Sequence, residues 1–192
     1  MLNVIVENGV VVGCKEGAKS VTLPTGVHTI ARTAFYECDV EEIILNEDLK
    51  TIEALAFLGT NIKTLYIPEG VEKIGTGVVS GCTLLESIVV NENNKHYYFQ
   101  NNCLVERNTN KVIAVMGDAI VPNGITEISK LAFYGRTKNI VVEIPESVKE
   151  IGIMEVEFLP ALEFPITIKA KQGSYAMDFA NENEIDCVIK TD

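Results

Sequence analysis

The residue types that most often carry chemistry are sparse in this chain. It has two histidines, His28 and His96, in 192 residues. A nucleophile needs a base within hydrogen-bonding reach, and no Ser, Cys or Asp recurs beside either histidine in such a pattern. The single G-x-G, at positions 75–77, is too weak a motif for a phosphate-binding loop. The sequence therefore predicts no catalytic residue and no cofactor, and we expect that the protein is not an enzyme.

The cysteines do not form a recognisable site either. Their number is odd and they include no C-x-x-C, the spacing that would favour a metal. Two of them follow large apolar residues of a recurring pattern by three positions and are expected to be small buried hydrophobes. We therefore predict no metal site and expect all five cysteines to be reduced thiols, which fits a reducing compartment. The five are Cys14, Cys38, Cys82, Cys103 and Cys187.

Composition limits the partners and the compartment. The net charge is −11, which argues against nucleic acid, since phosphate binding needs clustered Lys and Arg. No apolar run approaches the ~20 residues of a membrane-spanning helix. The first residues lack the basic and apolar regions of a signal peptide. The chain as it stands is thus expected in the cytoplasm, or at the cell surface or secreted if a leader was removed.

A stronger signal is internal repetition. Seven short β-type segments recur, and their middle residues are separated by 22, 22, 23, 31, 23 and 24 positions. A fixed period of this length is typical of a leucine-rich-repeat solenoid, in which each repeat adds one coil. The segments span residues 21–24, 43–46, 65–68, 88–91, 119–122, 142–145 and 166–169.

Each repeat continues in the same register beyond its strand. Aliphatic residues follow at steps of three, as in Val27 and Ile30, and then a small and a large residue, as in Ala34-Phe35. Steps of three suit a tight turn or 3₁₀-like coil that runs back across the core. The phenylalanines are expected to be buried between coils. The third repeat has Val78-Val79 instead of Ala-Phe, and a later one has Glu155-Val156, so these two coils are expected to be distorted.

The pattern strand–Pro–x–x–Val–x–x–Ile–x–x–x–Ala–Phe, best seen at residues 23–38, resembles the BspA-like family of leucine-rich repeats. The resemblance covers roughly residues 8–190. It implies a right-handed α/β-type solenoid with one short parallel strand per repeat of 22–24 residues. Many members of the family are surface or secreted proteins.

Two further features complete the predicted single domain of residues 1–192. The turn pair Asn8-Gly9 between apolar runs predicts a hairpin, which we interpret as an N-terminal cap over residues 1–20. Repeats follow at 21–90, a β-hairpin insertion at 91–121 and further repeats at 122–168. Residues 169–192 are predicted to form a C-terminal cap with a short helix, capped by Ser174, and a last strand. A solenoid capped at both ends is expected to be complete.

The main candidate site is the outward column of the repeat strands. Middle residues of parallel strands stand side by side, about 4.8 Å apart. Four consecutive rungs are apolar and would form an exposed stripe on the concave face, the surface that solenoids use for extended partners. The alternative is that such residues are simply good strand formers. The predicted binding residues are Ile44, Tyr66, Val89, Ile120 and Glu143, and Thr167 occupies the rung after Glu143.

The insertion is a secondary candidate. Exposed tyrosines among asparagines are common in recognition loops. The alternative, which we favour, is that the aromatic residues pack the hairpin onto the solenoid. The residues concerned are His96, Tyr97, Tyr98 and Phe99.

Together these features predict a monomeric, non-catalytic module that binds another protein through its concave sheet. The resemblance suggests a host or cell-surface partner, and the sequence does not identify it. The alternative is a structural protein that assembles through the ends or edges of its solenoid.

Overall fold

The computed structural model describes residues 3–36, 38–135, 138–152 and 166–191. The chain divides into two compact units, residues 1–99 and 100–192. Each unit is built from short β-strands, and each is described by itself. The strands of the first unit are β1 (Val4–Glu7), β2 (Val10–Cys14), β3 (Ser20–Thr22), β4 (Thr29–Ile30), β5 (Glu42–Ile44), β6 (Thr51–Ile52), β7 (Thr64–Ile67), β8 (Lys73–Ile74) and β9 (Ser87–Val90).

The first unit begins with the predicted hairpin. β1 and β2 pair antiparallel, and the φ angles of Asn8 and Gly9 are +49° and +77°, as a two-residue turn of the primed type requires. A Cβ atom at Gly9 would lie 2.9 Å from the backbone oxygen of Gly26 and 2.7 Å from the ring of His28, so the turn needs glycine for space as well as for φ. The exposed His28 thus lies over the hairpin turn.

The predicted repeat strands are confirmed. β3 pairs in parallel with β5, and β7 with β9, with partners 22 or 23 residues apart. Alternation follows the period of two: Val21 is 1% exposed and lies in the core, whereas the next residue, Thr22, is exposed. Neighbouring repeats therefore stack in register, as the periodicity predicts.

The part of each repeat that follows its first strand and runs back across the core differs from the conformation expected from the sequence. Instead of a turn or 3₁₀ coil, each repeat places a second, two-residue strand at its recurring isoleucine, and β2, β4, β6 and β8 pair in parallel. An extended dipeptide on one coil lies at strand spacing from the same dipeptide on the next coil, so their backbone groups pair. The predicted β-solenoid is confirmed, and the described residues contain few helices.

Aromatic side chains fill the space between coils, as predicted. Phe35 and Phe57 are fully buried, and their ring centroids lie 5.5 Å apart. Val78 and Val79 are also buried, and Phe57 N donates to Val78 O at 3.1 Å. The distortion expected of this third repeat is therefore wrong, because two valines fill the same positions. The second repeat expected to be distorted, around 155–156, lies outside the described residues.

The second unit repeats the plan. Its elements are β11 (Cys103–Glu106), β12 (Lys111–Val115), β13 (Ala119–Ile120), β14 (Glu127–Ile128), β15 (Ile140–Glu143), β16 (Glu150–Ile151), β17 (Ile166–Ala170), α1 (Tyr175–Glu182) and β18 (Asp186–Ile189), and β10 (Tyr97–Gln100) spans the boundary between the units. The hairpin predicted within residues 91–121 is present, since β11 and β12 pair antiparallel. β12 pairs in parallel with β14, which pairs with β16. A second sheet has the order β13-β15-β17-β18 and is parallel throughout.

The helix and the last strand are also as predicted. Met177 N donates to the Ser174 side chain at the start of α1, so Ser174 is the N-cap. Ala176, Phe179 and Ala180 are buried on one face of the helix. β18 adds to β17 as the last strand of the sheet.

The expectation of five free thiols is wrong. Cys14, the last residue of β2, forms a disulfide with Cys38, and their Cα atoms lie 6.4 Å apart. The hairpin brings the end of β2 beside the turn that follows Phe35, a proximity that a separation of 24 residues does not reveal. Cys82 and Cys103 are buried and free, and Cys187 is exposed. Burial raises the pKa of the Cys103 thiol to about 12, so this thiol is inert.

Candidate protein-binding surface

The apolar residues predicted to point outward do so. In the first unit Ile44, Tyr66 and Val89 are 52%, 38% and 47% exposed, and in the second unit Ile120 is 54% exposed. Their strand neighbours, such as Leu65 and Ile88, are buried. The exposure of these four side chains is thus confirmed, and their part in binding stays a prediction.

Tyr66 and Val89 form the best-defined part of this surface. They are direct partners in the parallel pair of β7 and β9. The Asn91 side-chain amide donates to the Tyr66 hydroxyl at 2.8 Å, which fixes the orientation of the phenol ring. The Thr64 and Ser87 hydroxyls lie 3.1 Å apart at the start of the same pair. The result is an exposed apolar pair bordered by hydrogen-bonded polar groups.

Ile44 extends this surface within the first unit. It lies on β5, opposite Thr22 of β3, and β5 contacts β7. The backbone carbonyl of Ile44 accepts a bond from Leu23 N at 2.9 Å, so the strand is held firmly. We call Ile44, Tyr66 and Val89 the β5–β9 apolar face.

The second unit has a different outward column from the one predicted. Ile120 is opposite Glu143, Glu143 is opposite Lys169, and Lys169 is opposite Val188. Thr167, which the repeat spacing placed on the rung after Glu143, is instead opposite Val141. Aligning the repeats on their strand centres misses this shift of two residues in the pairing of β15 with β17. Because side chains alternate with a period of two, the shift leaves each side chain on the face of the sheet that was predicted.

Glu143 is already paired within its own chain. Its carboxylate lies 3.2 Å from the Lys169 ammonium and 2.7 Å from that of Lys190. A hydrogen bond from Lys190, the largest cause, and one from Lys169 lower the pKa of the Glu143 carboxyl. The expectation that Glu143 attracts a basic group of a partner therefore loses its basis, since two lysines already compensate its charge.

Tyr97, one of the four insertion residues predicted as a secondary site, has a structural role. Tyr97 is fully buried, and its hydroxyl accepts a bond from Ile74 N at 2.8 Å. Its own amide donates to the buried Asn94 side chain, whose amide group donates to the carbonyls of Pro68, Glu69 and Val71. Tyr97 thus offers no surface to a partner, which corrects the secondary candidate.

The other three residues of that candidate remain half-buried: His96, Tyr98 and Phe99. The alternative that the aromatic residues pack the hairpin onto the solenoid accounts for Tyr97 and for its hydrogen bond with Asn94. The asparagines of the turn, Asn101 and Asn102, have positive φ angles, so they serve the backbone conformation.

Within the described ranges, no group of three or more His, Cys, Asp or Glu side chains could hold a metal ion. Over those same ranges, no helix has both the length and the apolar character needed to cross a membrane.

The comparisons agree with the fold. The family model for the BspA-type leucine-rich repeat region matches residues 13–120 and 116–163, with six copies, so the chain belongs to this family. A search of curated proteins finds no match.

Two solved structures are similar. One is a leucine-rich cell surface protein from Faecalibacterium prausnitzii, 30% identical, with a TM-score of 0.63, covering 70% of this chain and 37% of that one. The other is a leucine-rich repeat protein from Eubacterium ventriosum, 19% identical, with a TM-score of 0.53, covering 80% of this chain and 54% of that one. The chain thus spans about a third to a half of the length of these proteins. The second likeness concerns the fold alone.

Sequence reasoning missed some features of the surface. The repeat pattern gives Asn91 only as the last residue of the segment 88–91, and it does not predict that the Asn91 side chain donates to the Tyr66 hydroxyl. Val141 and Val188 are 43% and 51% exposed on the outer face of the second unit. Because strand offset decides which residue of a β-branched run points outward, the repeat period alone could not identify them.

Proposed function

We propose that this chain is a non-catalytic protein-binding module and that the β5–β9 apolar face contacts the partner. The observation that carries the proposal is the Tyr66–Val89 pair, exposed on two paired strands, with the Tyr66 hydroxyl accepting a hydrogen bond from Asn91. Neighbouring exposed apolar groups on a strand pair favour contact with another protein.

Tyr66 has the properties of an anchor residue. Tyrosine combines a large rigid area with a polar tip, and it is enriched among the residues that dominate binding energy. The hydrogen bond from Asn91 reduces the ring's freedom before a partner arrives, so less entropy is lost on binding. Membership of a leucine-rich-repeat family, which commonly mediates binding, supports this role.

The partner is proposed to lie outside the reducing cytoplasm. The Cys14–Cys38 disulfide supports this, since such bonds persist mainly in oxidising compartments. The similarity to a leucine-rich cell surface protein supports it as well. A host or cell-surface protein is the class of partner that we expect.

The test is affinity capture with three forms of the chain, followed by titration of the recovered partner. Val89→Asp places a charge on the β5–β9 apolar face and should weaken binding about tenfold or more, if this face carries at least ~1.4 kcal/mol. Val12→Asp is the matched control, because Val12 is 41% exposed on the first hairpin, away from this face.

Both variants should melt near the wild-type temperature, because both side chains point into solvent. Equal partner recovery with Val89→Asp and with wild type would exclude this face. Loss of binding with Val12→Asp alone would move the site to the hairpin.

A further inference from the structure

The last strand of the second unit differs from the others in its exposure. All four residues of β18 are exposed, on both faces, and Val188 and Ile189 are 51% and 52% exposed. Among the described strands only β17 pairs with it, and β17 buries every second residue. β18 is therefore an edge strand with apolar side chains, the type of edge that pairs readily with another strand.

The register shows which backbone groups this edge offers. Lys190 N donates to Ala170 O at 2.8 Å, so the even-numbered residues of β18 turn their backbone groups toward β17. In a parallel ladder alternate residues bond to opposite sides. The N–H and C=O groups of Cys187 and Ile189 therefore point toward the open edge.

The first repeat strand shows how this chain protects an edge. Glu42 N donates to Lys19 O, so Ser20, the next residue along, turns its carbonyl away from β5. The Asn3 side-chain amide donates to that carbonyl at 2.8 Å. For Cys187 and Ile189 the described residues show no comparable cap on the backbone.

We infer that β18 is a self-association edge, at which a second copy of this chain pairs antiparallel through its own β18. The pairing is symmetric about Val188, which lies opposite its counterpart. Cys187 then lies opposite Ile189 of the second copy, and these two residues, with the same pair across the axis, supply four backbone hydrogen bonds. Asp186 lies opposite Lys190 of the second copy.

Local charge complementarity favours this register and this occupant, and it acts against the general repulsion between two copies that each carry a net charge of −11. Glu143, Lys169 and Lys190 form one cluster on the outer face, with one negative and two positive charges. The cluster thus carries a net charge of +1, and in the dimer the Asp186 carboxylate of each copy lies near the cluster of the other copy. The same pairing places Val188 beside its counterpart and Ile189 beside Cys187 of the second copy, so each apolar side chain gains a cross-strand neighbour.

The β18 edge and the β5–β9 apolar face share no residue, so self-association and partner binding do not compete for the same residues. A dimer departs from the monomer expected from the sequence. One strand pair forms a small interface, so we expect association that rises with concentration rather than a permanent dimer.

The first test is sedimentation equilibrium of the full chain over a wide concentration range. The average mass should rise from 21.0 kDa toward twice this value. Ile189→Pro removes the N–H that faces the open edge without touching the bonds to β17, and it should stay monomeric. Ile189→Val, the matched control, keeps that N–H and should associate like wild type.

A wild-type mass that stays at 21.0 kDa throughout would overturn the inference. So would equal association of Ile189→Pro and Ile189→Val.

Disulfide cross-linking tests the register even if the proline variant does not fold. In a Cys187→Ser background, Val188→Cys places two thiols opposite each other at the axis, within the Cα separation that a disulfide accepts. Mild oxidation should convert most of this variant to a covalent dimer. Asp186→Cys in the same background faces Lys190 and should cross-link at least several-fold less. Equal cross-linking of the two variants, or none in either, would contradict the proposed pairing.

Discussion

The two hairpins, β1–β2 and β11–β12, follow one design. In each, the antiparallel register shifts by one residue after the second pair. The second strand of each then pairs in parallel with the isoleucine strand of the next coil, through Val11 and Ile30 or through Val112 and Ile128. The hairpin interpreted as a terminal cap and the one interpreted as an insertion are thus the same structural element.

The hairpins differ in how the second strand ends. In the first, Cys14 is joined to Cys38 by the disulfide. In the second, Val115 occupies the corresponding place, and its amide donates to Ala132 O at 2.9 Å. The turns differ as well, with two residues in the first hairpin and four in the second. The end of the second strand is thus attached to the following coil by a disulfide in the first unit and by a backbone hydrogen bond in the second.

The largest expected effect tests whether both units depend on the same core packing. Phe57→Ala should cost about 3–5 kcal/mol, because the ring is fully buried and stacks on Phe35. Phe133→Ala in the second unit should cost less, about 3 kcal/mol, which is the lower end of the same range, since Phe133 is 8% exposed. Denaturant unfolding measures both, and a loss below about 1 kcal/mol for Phe57→Ala would show that it is not a core residue.

The disulfide is the next largest difference. Replacing Cys14 and Cys38 together by Ala should cost about 3 kcal/mol, because a closed loop of this length restricts the unfolded chain. Hydrogen exchange should become faster in the first unit and stay unchanged in the second.

Thiol titration of the denatured, non-reduced protein provides the chemical check. It should find three free thiols, Cys82, Cys103 and Cys187. Five thiols would contradict the disulfide.

Tyr97 tests the anchoring of the insertion. Tyr97→Phe keeps the ring and removes the acceptor for Ile74 N, which leaves a buried donor unpaired. We expect a loss of about 1–3 kcal/mol, measured by denaturant unfolding. Tyr36→Phe is the matched control, since Tyr36 is 52% exposed, and an equal loss in both variants would contradict the specific role of the Tyr97 hydroxyl.

The smallest expected effect is a pH dependence confined to the second unit. The folded-state pKa of Glu143 lies below its ordinary value of 4.5 because of Lys190 and Lys169. Its contribution to stability is therefore present above that value and is lost as the pH falls through the folded-state pKa. Glu143→Gln should flatten this acid-side loss, and an identical pH profile in both proteins would show that the pairs do not contribute.

Periodicity predicted the parts of the fold that depend on repeated side-chain types. The strands, the buried phenylalanines, both hairpins and helix α1 all follow from local patterns, such as Asn8-Gly9 and the Ser174 cap. The Cys14–Cys38 bond could not be predicted, because it depends on where the hairpin docks on the first coil. The two-residue strands likewise arise from stacking and have no signature of their own within one repeat.

The candidate site was predictable in its apolar residues and not in its polar ones. Ile44, Tyr66 and Val89 were identified from alternation alone. The lysine partners of Glu143 come from later strands, and strand offset, which the sequence does not reveal, brings Lys169 beside it. The hydrogen bond from Asn91 to Tyr66 depends in the same way on the three-dimensional register.

The central claim, that the β5–β9 apolar face binds the partner, is tested most directly by hydroxyl-radical footprinting of the wild-type chain with and without the captured partner. Tyr66 and Tyr36 are 38% and 52% exposed in the same unit, and Tyr36 serves as the internal control. Oxidation of Tyr66 should fall several-fold on binding, while oxidation of Tyr36 should be unchanged. Unchanged oxidation of Tyr66 in the saturated complex would contradict the claim.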